Sequence, residues 1–156
     1  LHLSTDVLPV VIKATLERYN IPPHMIEIEI TESALAATED YQLSILNELR
    51  ALGCVLAMDD FGSGMSSLNA LRSLPFDVLK IDRDFLQSES NSERERIVLS
   101  YVVRMAFALD MRVICEGVET VEQEAFLRQI GCNYVQGFLY ARPLPEEQFS
   151  ADYLDK

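Results

Sequence analysis

Hydrophobic residues recur along this chain with a two-residue period in some stretches and a helical period in others, and the two kinds alternate. Val7–Tyr19 has helical spacing and runs into Pro22-Pro23, a stop signal. Ile26–Ile30 reads Ile, Glu, Ile, Glu, Ile, the period of a strand. Tyr41–Leu52 sets Ile45, Leu46, Leu49 and Leu52 on one helical stripe, and Gly53 suits the position just past its end. Val55–Met58 is a short apolar strand, Ser66–Ser73 a short helix stopped by Pro75, and Val78–Ile81 another strand. Ser92 with Glu95 has the pattern of a capping box, and the helix it opens carries Ile97, Tyr101, Met105, Ala108 and Leu109 on one face. Arg112–Cys115 reads as a strand. Thr120 with Gln123 is a second capping box, for a helix that ends at Ile130-Gly131. Tyr134–Leu139 reads as the last strand, Leu1–Ser4 as a short first one, and Pro143–Lys156 as a polar closing segment with a short helix.

About six strands with helices between them imply parallel pairing, either in an open doubly wound sheet or in a barrel. No strand is followed by Gly-x-Gly-x-x-Gly or a P-loop, which argues against dinucleotide and nucleoside triphosphate sites of those kinds.

Composition narrows the picture. The 156 residues are 49% hydrophobic, enough for one core, and carry a net charge of −12. A basic footprint for duplex nucleic acid is absent. A nucleotide ligand remains compatible, because bound cations invert the local sign of a site. Cys54, Cys115 and Cys132 form no Cys-x-x-Cys pair and lie in or beside apolar stretches, so they read as buried thiols. No apolar run has membrane-spanning length. The start, Leu1-His2-Leu3-Ser4, has neither Met nor the charged flank of a signal peptide, which points to an internal piece of a longer, cytosolic protein whose membrane segments, where it has any, lie elsewhere.

The informative charges fall where strands end. The strand at Ile26–Ile30 runs out at Glu29 and Glu32, the one at Val55–Met58 at Asp59 and Asp60, Val78–Ile81 contains Lys80 and ends at Asp82, Arg112–Cys115 ends at Glu116 and Glu119, and the last strand contains Gln136. In parallel α/β folds these ends form one rim, where catalytic groups sit. Any single acid there is equally a loop cap. Adjacent carboxylates at Asp59-Asp60 repel unless a cation relieves them. Hard oxygen ligands suit Mg²⁺ or Mn²⁺, with Asp59 bridging two ions and Asp60 binding one, an arrangement fit for phosphodiester hydrolysis. Lys80 either positions water and stabilises phosphate charge, or forms a structural ion pair with Asp82 or Glu116. Gly62 and Gly64 read as a mobile loop over the rim. His24, after two prolines, reads as a surface residue.

These residues carry a resemblance. Asp59-Asp60-Phe61-Gly62-Ser63-Gly64-Met65-Ser66-Ser67-Leu68 resembles the D-D-F-G-T-G-Y-S-S-L loop of EAL domains. Glu29-Ile30-Thr31-Glu32-Ser33, Leu79-Lys80-Ile81-Asp82, Glu116-Gly117-Val118-Glu119, Gln136-Gly137-Phe138 and Arg142-Pro143-Leu144 follow the family's order. The resemblance implies a modified TIM barrel that cleaves cyclic di-GMP to linear pGpG with two Mg²⁺ or Mn²⁺ ions. It implies Glu29, Asp59 and Asp60 as metal ligands, Lys80, Glu116 and Gln136 around the attacking water, Glu32 holding the glycine loop, and Asp82 and Glu119 as support.

The chain departs from the family in three places. The Glu-Ala-Leu strand that names the family, with the strand before it, would precede Leu1. Residues 1–156 are thus expected to form one domain with about six of eight strands, since such a barrel takes roughly 250 residues. His2-Leu3-Ser4 stands where the family has Asn-x-Ser, making His2 a candidate substituted ligand. Ser63 and Met65 replace the usual Thr and Tyr. Two other readings compete: an EAL-like effector that binds cyclic di-GMP or a protein without hydrolysis, and an unrelated barrel lyase with Lys80 as Schiff base. Expected partners are cyclic di-GMP, upstream sensory or cyclase domains and, because an unpaired sheet edge invites it, a second copy of the chain. The 156 residues by themselves are expected to show little activity.

Overall fold

The computed structural model describes residues 7–35, 40–62, 67–87 and 93–154. The elements run in the order α1 (Leu8–Tyr19), β1 (Glu27–Thr31), α2 (Glu32–Leu35), α3 (Asp40–Ala51), β2 (Val55–Phe61), α4 (Ser67–Ser73), β3 (Val78–Ile81), α5 (Asp84–Gln87), α6 (Glu93–Ala108), β4 (Arg112–Cys115), α7 (Val121–Gln129), β5 (Tyr134–Val135) and α8 (Glu146–Phe149). A 3₁₀ turn at Pro23–Met25 leads into β1, and a π turn at Ser150–Leu154 follows α8.

All strands are parallel and lie side by side in chain order, β1-β2-β3-β4-β5. An open doubly wound sheet reverses its order part way; this one does not. The winding is that of a barrel wall, with five strands among the described residues and no closure. Of the strands expected from the sequence, Leu1–Ser4 lies outside the described residues, as do His2, Ser63, Gly64, Met65 and Ser92.

The ladder register sorts the strand residues onto two faces. Ile28 and Ile30 share one with Leu56, Met58, Leu79, Ile81, Val113, Cys115 and Val135. Against these pack Ile45, Leu46 and Leu49 of α3, Leu71 of α4, Leu99, Val103 and Ala106 of α6, and Leu127 of α7, forming one continuous core. The other face carries Glu27, Glu29, Asp59, Lys80, Arg112, Ile114 and Tyr134. It is the wall of a barrel interior. Arg112 reaches Glu27 across it, Nη2 to Oε2 at 3.5 Å.

Local chemistry ends the helices where the sequence led one to expect. Gly53 (φ +96°) and Gly131 (φ +91°) follow α3 and α7. Thr120 accepts from the Gln123 amide at 3.2 Å, and the Gln123 side chain accepts from the Thr120 amide at 3.0 Å, closing the capping box. Two expectations need correction. The last strand is only Tyr134–Val135, so Gln136 lies beyond it; its amide still donates to Cys115 O at 2.9 Å, but Gly137 then turns the chain toward Tyr140 and no ladder continues. Conversely β2 extends to Phe61, so Asp59 and Asp60 lie inside the strand rather than after it. The short helices α2 and α5 carry too few residues to show a period and were not foreseen. All three cysteines are buried free thiols, as expected.

Candidate active site

Parallel pairing sets consecutive strands side by side, so polar residues near their C-terminal ends meet. Glu29 of β1, Asp59 of β2, Lys80 of β3 and Glu116 after β4 converge. Lys80 Nζ lies 2.6 Å from Glu29 Oε1, 2.8 Å from Glu116 Oε1 and 3.2 Å from Asp59 Oδ1. The Lys80 side chain is 7% exposed, that of Glu29 48%. Burial disfavours the ammonium, but the carboxylates of Glu116, Glu29 and Asp59 outweigh it and raise the lysine above its ordinary pKa. A Schiff-base lysine needs surroundings that favour its neutral form, and three carboxylates within 3.2 Å of Nζ do the reverse, which argues against the lyase reading. Of the two structural partners expected for Lys80, Glu116 is in contact; no Lys80 ion pair joins it to Asp82 among the described residues.

Asp59 and Asp60 owe their arrangement to a break in the ladder. Between Met58 and Phe61 the register of β2 against β3 shifts, and Asp60 takes φ +55°. A non-glycine residue in the left-handed region costs about 1–3 kcal/mol and persists where surroundings impose it. The shift returns Phe61 to the core face beside Ile81 and leaves both carboxylates at the rim. Desolvation, then the charges of Asp59, Asp82 and Glu116, push the Asp60 carboxyl above the ordinary range, and Lys80 only partly offsets them.

The remaining predicted residues surround this group. Glu32, buried at 2% exposure, accepts the Gly62 amide at 3.2 Å. Gly62 (φ +99°) abuts Phe85, and a Cβ there would lie 2.0 Å from Phe85 Cε2. Asp82 Oδ1 accepts the Asp84 amide at 2.7 Å and opens α5. The Glu119 amide donates to Gln123 Oε1 at 2.8 Å. A cleft of about 730 Å³ begins at Asp60, Asp82, Glu116, Glu119 and Gln136 and extends to Arg83, Phe138, Arg142, Phe149 and Tyr153. Arg142 lies over the Phe138 ring at 4.6 Å, and Phe149 stacks on Tyr153 at 5.3 Å. Sequence reasoning missed this aromatic wing, because isolated aromatics in a polar tail carry no period.

The donor set suits a hard divalent cation. Glu29, Asp59, Asp60 and Glu116 supply carboxylate oxygens alone, and Asp59 Oδ1 is buried without accepting a hydrogen bond, although Lys80 is near. Among the described residues no trio of His, Cys, Asp or Glu side chains is drawn tightly enough to grip an ion unaided; three of these acids are turned toward Lys80 instead.

A one-sided parallel wall with a carboxylate-lysine cluster at its strand ends defines a barrel-type α/β architecture with a polar site at its rim. The profile described as EAL domain matches residues 3–143, and the chain belongs to that family. The cyclic di-GMP phosphodiesterase RocR of Pseudomonas aeruginosa is 43% identical over 148 residues, which cover 95% of this chain and 38% of that protein. The chain thus spans well under half of this curated relative. The PaMucR phosphodiesterase in complex with c-di-GMP superposes with a TM-score of 0.87 at 38% identity, over 96% of this chain and 60% of the other. Klebsiella pneumoniae BlrP1, in a manganese/cy-diGMP complex, gives 0.83 at 31% identity over 90% and 36%. No helix among the described residues is long and apolar enough to cross a membrane.

Proposed function

We propose that this chain is the metal-dependent catalytic part of a cyclic di-GMP phosphodiesterase that releases linear pGpG. The observation that carries the reading is the convergence of Glu29, Asp59 and Glu116, from three separate segments of the wall, on the Lys80 ammonium within 3.2 Å. Relatives named as cyclic di-GMP phosphodiesterases support the substrate.

Glu29, Asp59 and Asp60 would hold Mg²⁺ or Mn²⁺, since their carboxylate oxygens are the ligands that hard divalent cations take. Bound there, such cations would lower the pKa of water and offset charge on the phosphoryl oxygens. The chain's own groups do the rest. Lys80 is kept as an ammonium, so it donates: it orients water and stabilises negative charge developing on the phosphorus oxygens. Glu116 is the acceptor beside it and takes the water proton. Water oxygen bonds to phosphorus, the bond to the 3′ oxygen breaks and opens the ring, and that oxygen takes a proton from solvent to leave as a hydroxyl, while Glu116 gives up to solvent the proton it took. Glu32 holds the Gly62 turn, Asp82 and Glu119 support the rim, and Gln136 lies beside the water. Residues 1–156 form one domain short of about two barrel strands. The parent protein works in the cytoplasm, with sensory or cyclase domains upstream and a second copy as partner.

The test is turnover by the whole protein carrying this chain, with Mg²⁺ and then Mn²⁺, reading pGpG by chromatography. Turnover is expected, and Asp59→Asn should lower it by at least about 100-fold. Binding of cyclic di-GMP without pGpG under both metals would establish the effector reading instead.

A further inference from the structure

We infer that Gln123 is a positioning residue that ties the loop carrying Glu116 and Glu119 to the segment following Lys80 and Asp82. The inference rests on the proposed hydrolysis only for its kinetic consequence; the tie itself is a matter of geometry.

Gln123 looks at first like an ordinary cap. Its Oε1 accepts the amides of Glu119 at 2.8 Å and Thr120 at 3.0 Å, and its own amide donates to Thr120 Oγ1 at 3.2 Å. A capping box needs no more than this. Yet Gln123 Nε2 also donates to Leu86 O at 3.1 Å, across 37 residues, in a partly buried position. Leu86 belongs to α5, the helix that Asp82 opens. One side-chain amide therefore bridges the turn after β3 and the turn after β4.

A second contact joins the same two turns. Gly117 (φ +69°) lies against Arg83 so closely that a Cβ would sit 2.2 Å from Arg83 Cβ. On its other side this segment meets the turn after β2, where Phe85 presses on Gly62. Residues 82–87 are thus wedged between the turns that follow Asp59-Asp60 and Glu116. The ladder positions Glu116 only through its own amide, which donates to Ile81 O at 3.0 Å. Past that bond the span to Glu119 has no strand partner in β3; Val118 within it donates to Gln136 O at 3.1 Å and accepts the Leu139 amide at 3.0 Å. Beside the Gly117–Arg83 contact, Gln123 adds a side-chain hydrogen bond from that span's cap to α5. Its acceptor oxygen serves the helix and its donor nitrogen serves the site, so the two roles separate chemically.

Three variants of the whole protein exploit that separation. Gln123→Glu keeps an acceptor for both amides but has no proton for Leu86 O. Thr120→Ala weakens the cap and leaves the bridge. Gln123→Ala removes both. Gln123→Glu should lower kcat about tenfold with KM within about twofold and the unfolding midpoint near wild type, since small misplacement of reacting groups costs rate before binding. Thr120→Ala should lower the midpoint and leave kcat near wild type; Gln123→Ala should lower both. Amide exchange gives a readout independent of turnover: Gln123→Glu should quicken exchange at 83–86 and 117–119 together. Should Gln123→Glu match wild type in kcat and in exchange at 83–86, or should kcat follow the midpoint across all three variants, the residue is a helix cap and the inference falls. Absence of turnover by the wild type would overturn the proposed function and leave the exchange result to decide the tie.

Discussion

An ammonium group among three carboxylates exchanges hydration for ion pairs, and Lys80 shows which side wins. Because its folded-state pKa is raised above the unfolded value, its contribution to stability is complete below the ordinary lysine pKa near 10.4 and is lost as pH rises through the higher folded value. Replacing it leaves Glu29, Asp59 and Glu116 facing one another. Lys80→Met should destabilise the fold by about 3 kcal/mol, the low end for breaking a buried pair, because Glu29 is half open to water. Urea titrations at pH 7 and pH 11 check this: the gap between wild type and variant should narrow at the higher pH. A gap that widens there would contradict the assignment of the charge. Asp60 shows the opposite economy, since its left-handed backbone and like-charged neighbours both work against the apo fold.

At the scale of elements, the site depends on how strands hand over to helices. β2 does so through a register shift and a turn at Gly62, whose amide goes to buried Glu32 and whose missing side chain makes room for Phe85. Gly62→Ala must therefore push aside an aromatic ring and hold a left-handed backbone with a Cβ. A loss of about 2 kcal/mol or more is expected, together with lower turnover, since Asp60 is two residues away. Thermal unfolding and a pGpG assay on the same preparation check both halves. Stability and activity equal to wild type would mean that the turn and α5 are not coupled. Cys115 and Cys132, whose thiols burial pushes up in pKa, belong to the core side of these same elements and serve packing.

At the scale of the molecule, the five parallel strands among the described residues have helices on one side and, on the other, a face where buried Ala57, Val78 and Lys80 lie beside the Glu27–Arg112 pair. Such a wall ends in strand edges that pair readily with other chains. The 156 residues expressed alone should associate as concentration rises, measured by light scattering on a sizing column, and should turn over cyclic di-GMP at least about 100-fold more slowly than the whole protein. A monomer at all concentrations with full turnover would show that the wall is sufficient.

The sequence alone determined the alternation of elements, the family and the identity of the acids at the rim, because periodicity and strand-end placement are local properties written in residue order. It also named the Thr120–Gln123 box, whose partners are three residues apart. What lay beyond it required contacts between distant segments. Whether the sheet is a barrel wall or doubly wound depends on strand order in space. Whether Lys80 meets Asp82 or the acids of its neighbours depends on register. The placement of Asp60 depends on a shift against β3, the aromatic wing on where a polar tail folds back, and the third bond of Gln123 on a carbonyl 37 residues away. Each is a pairwise energy between groups far apart in the chain, and only the folded packing brings those groups within reach.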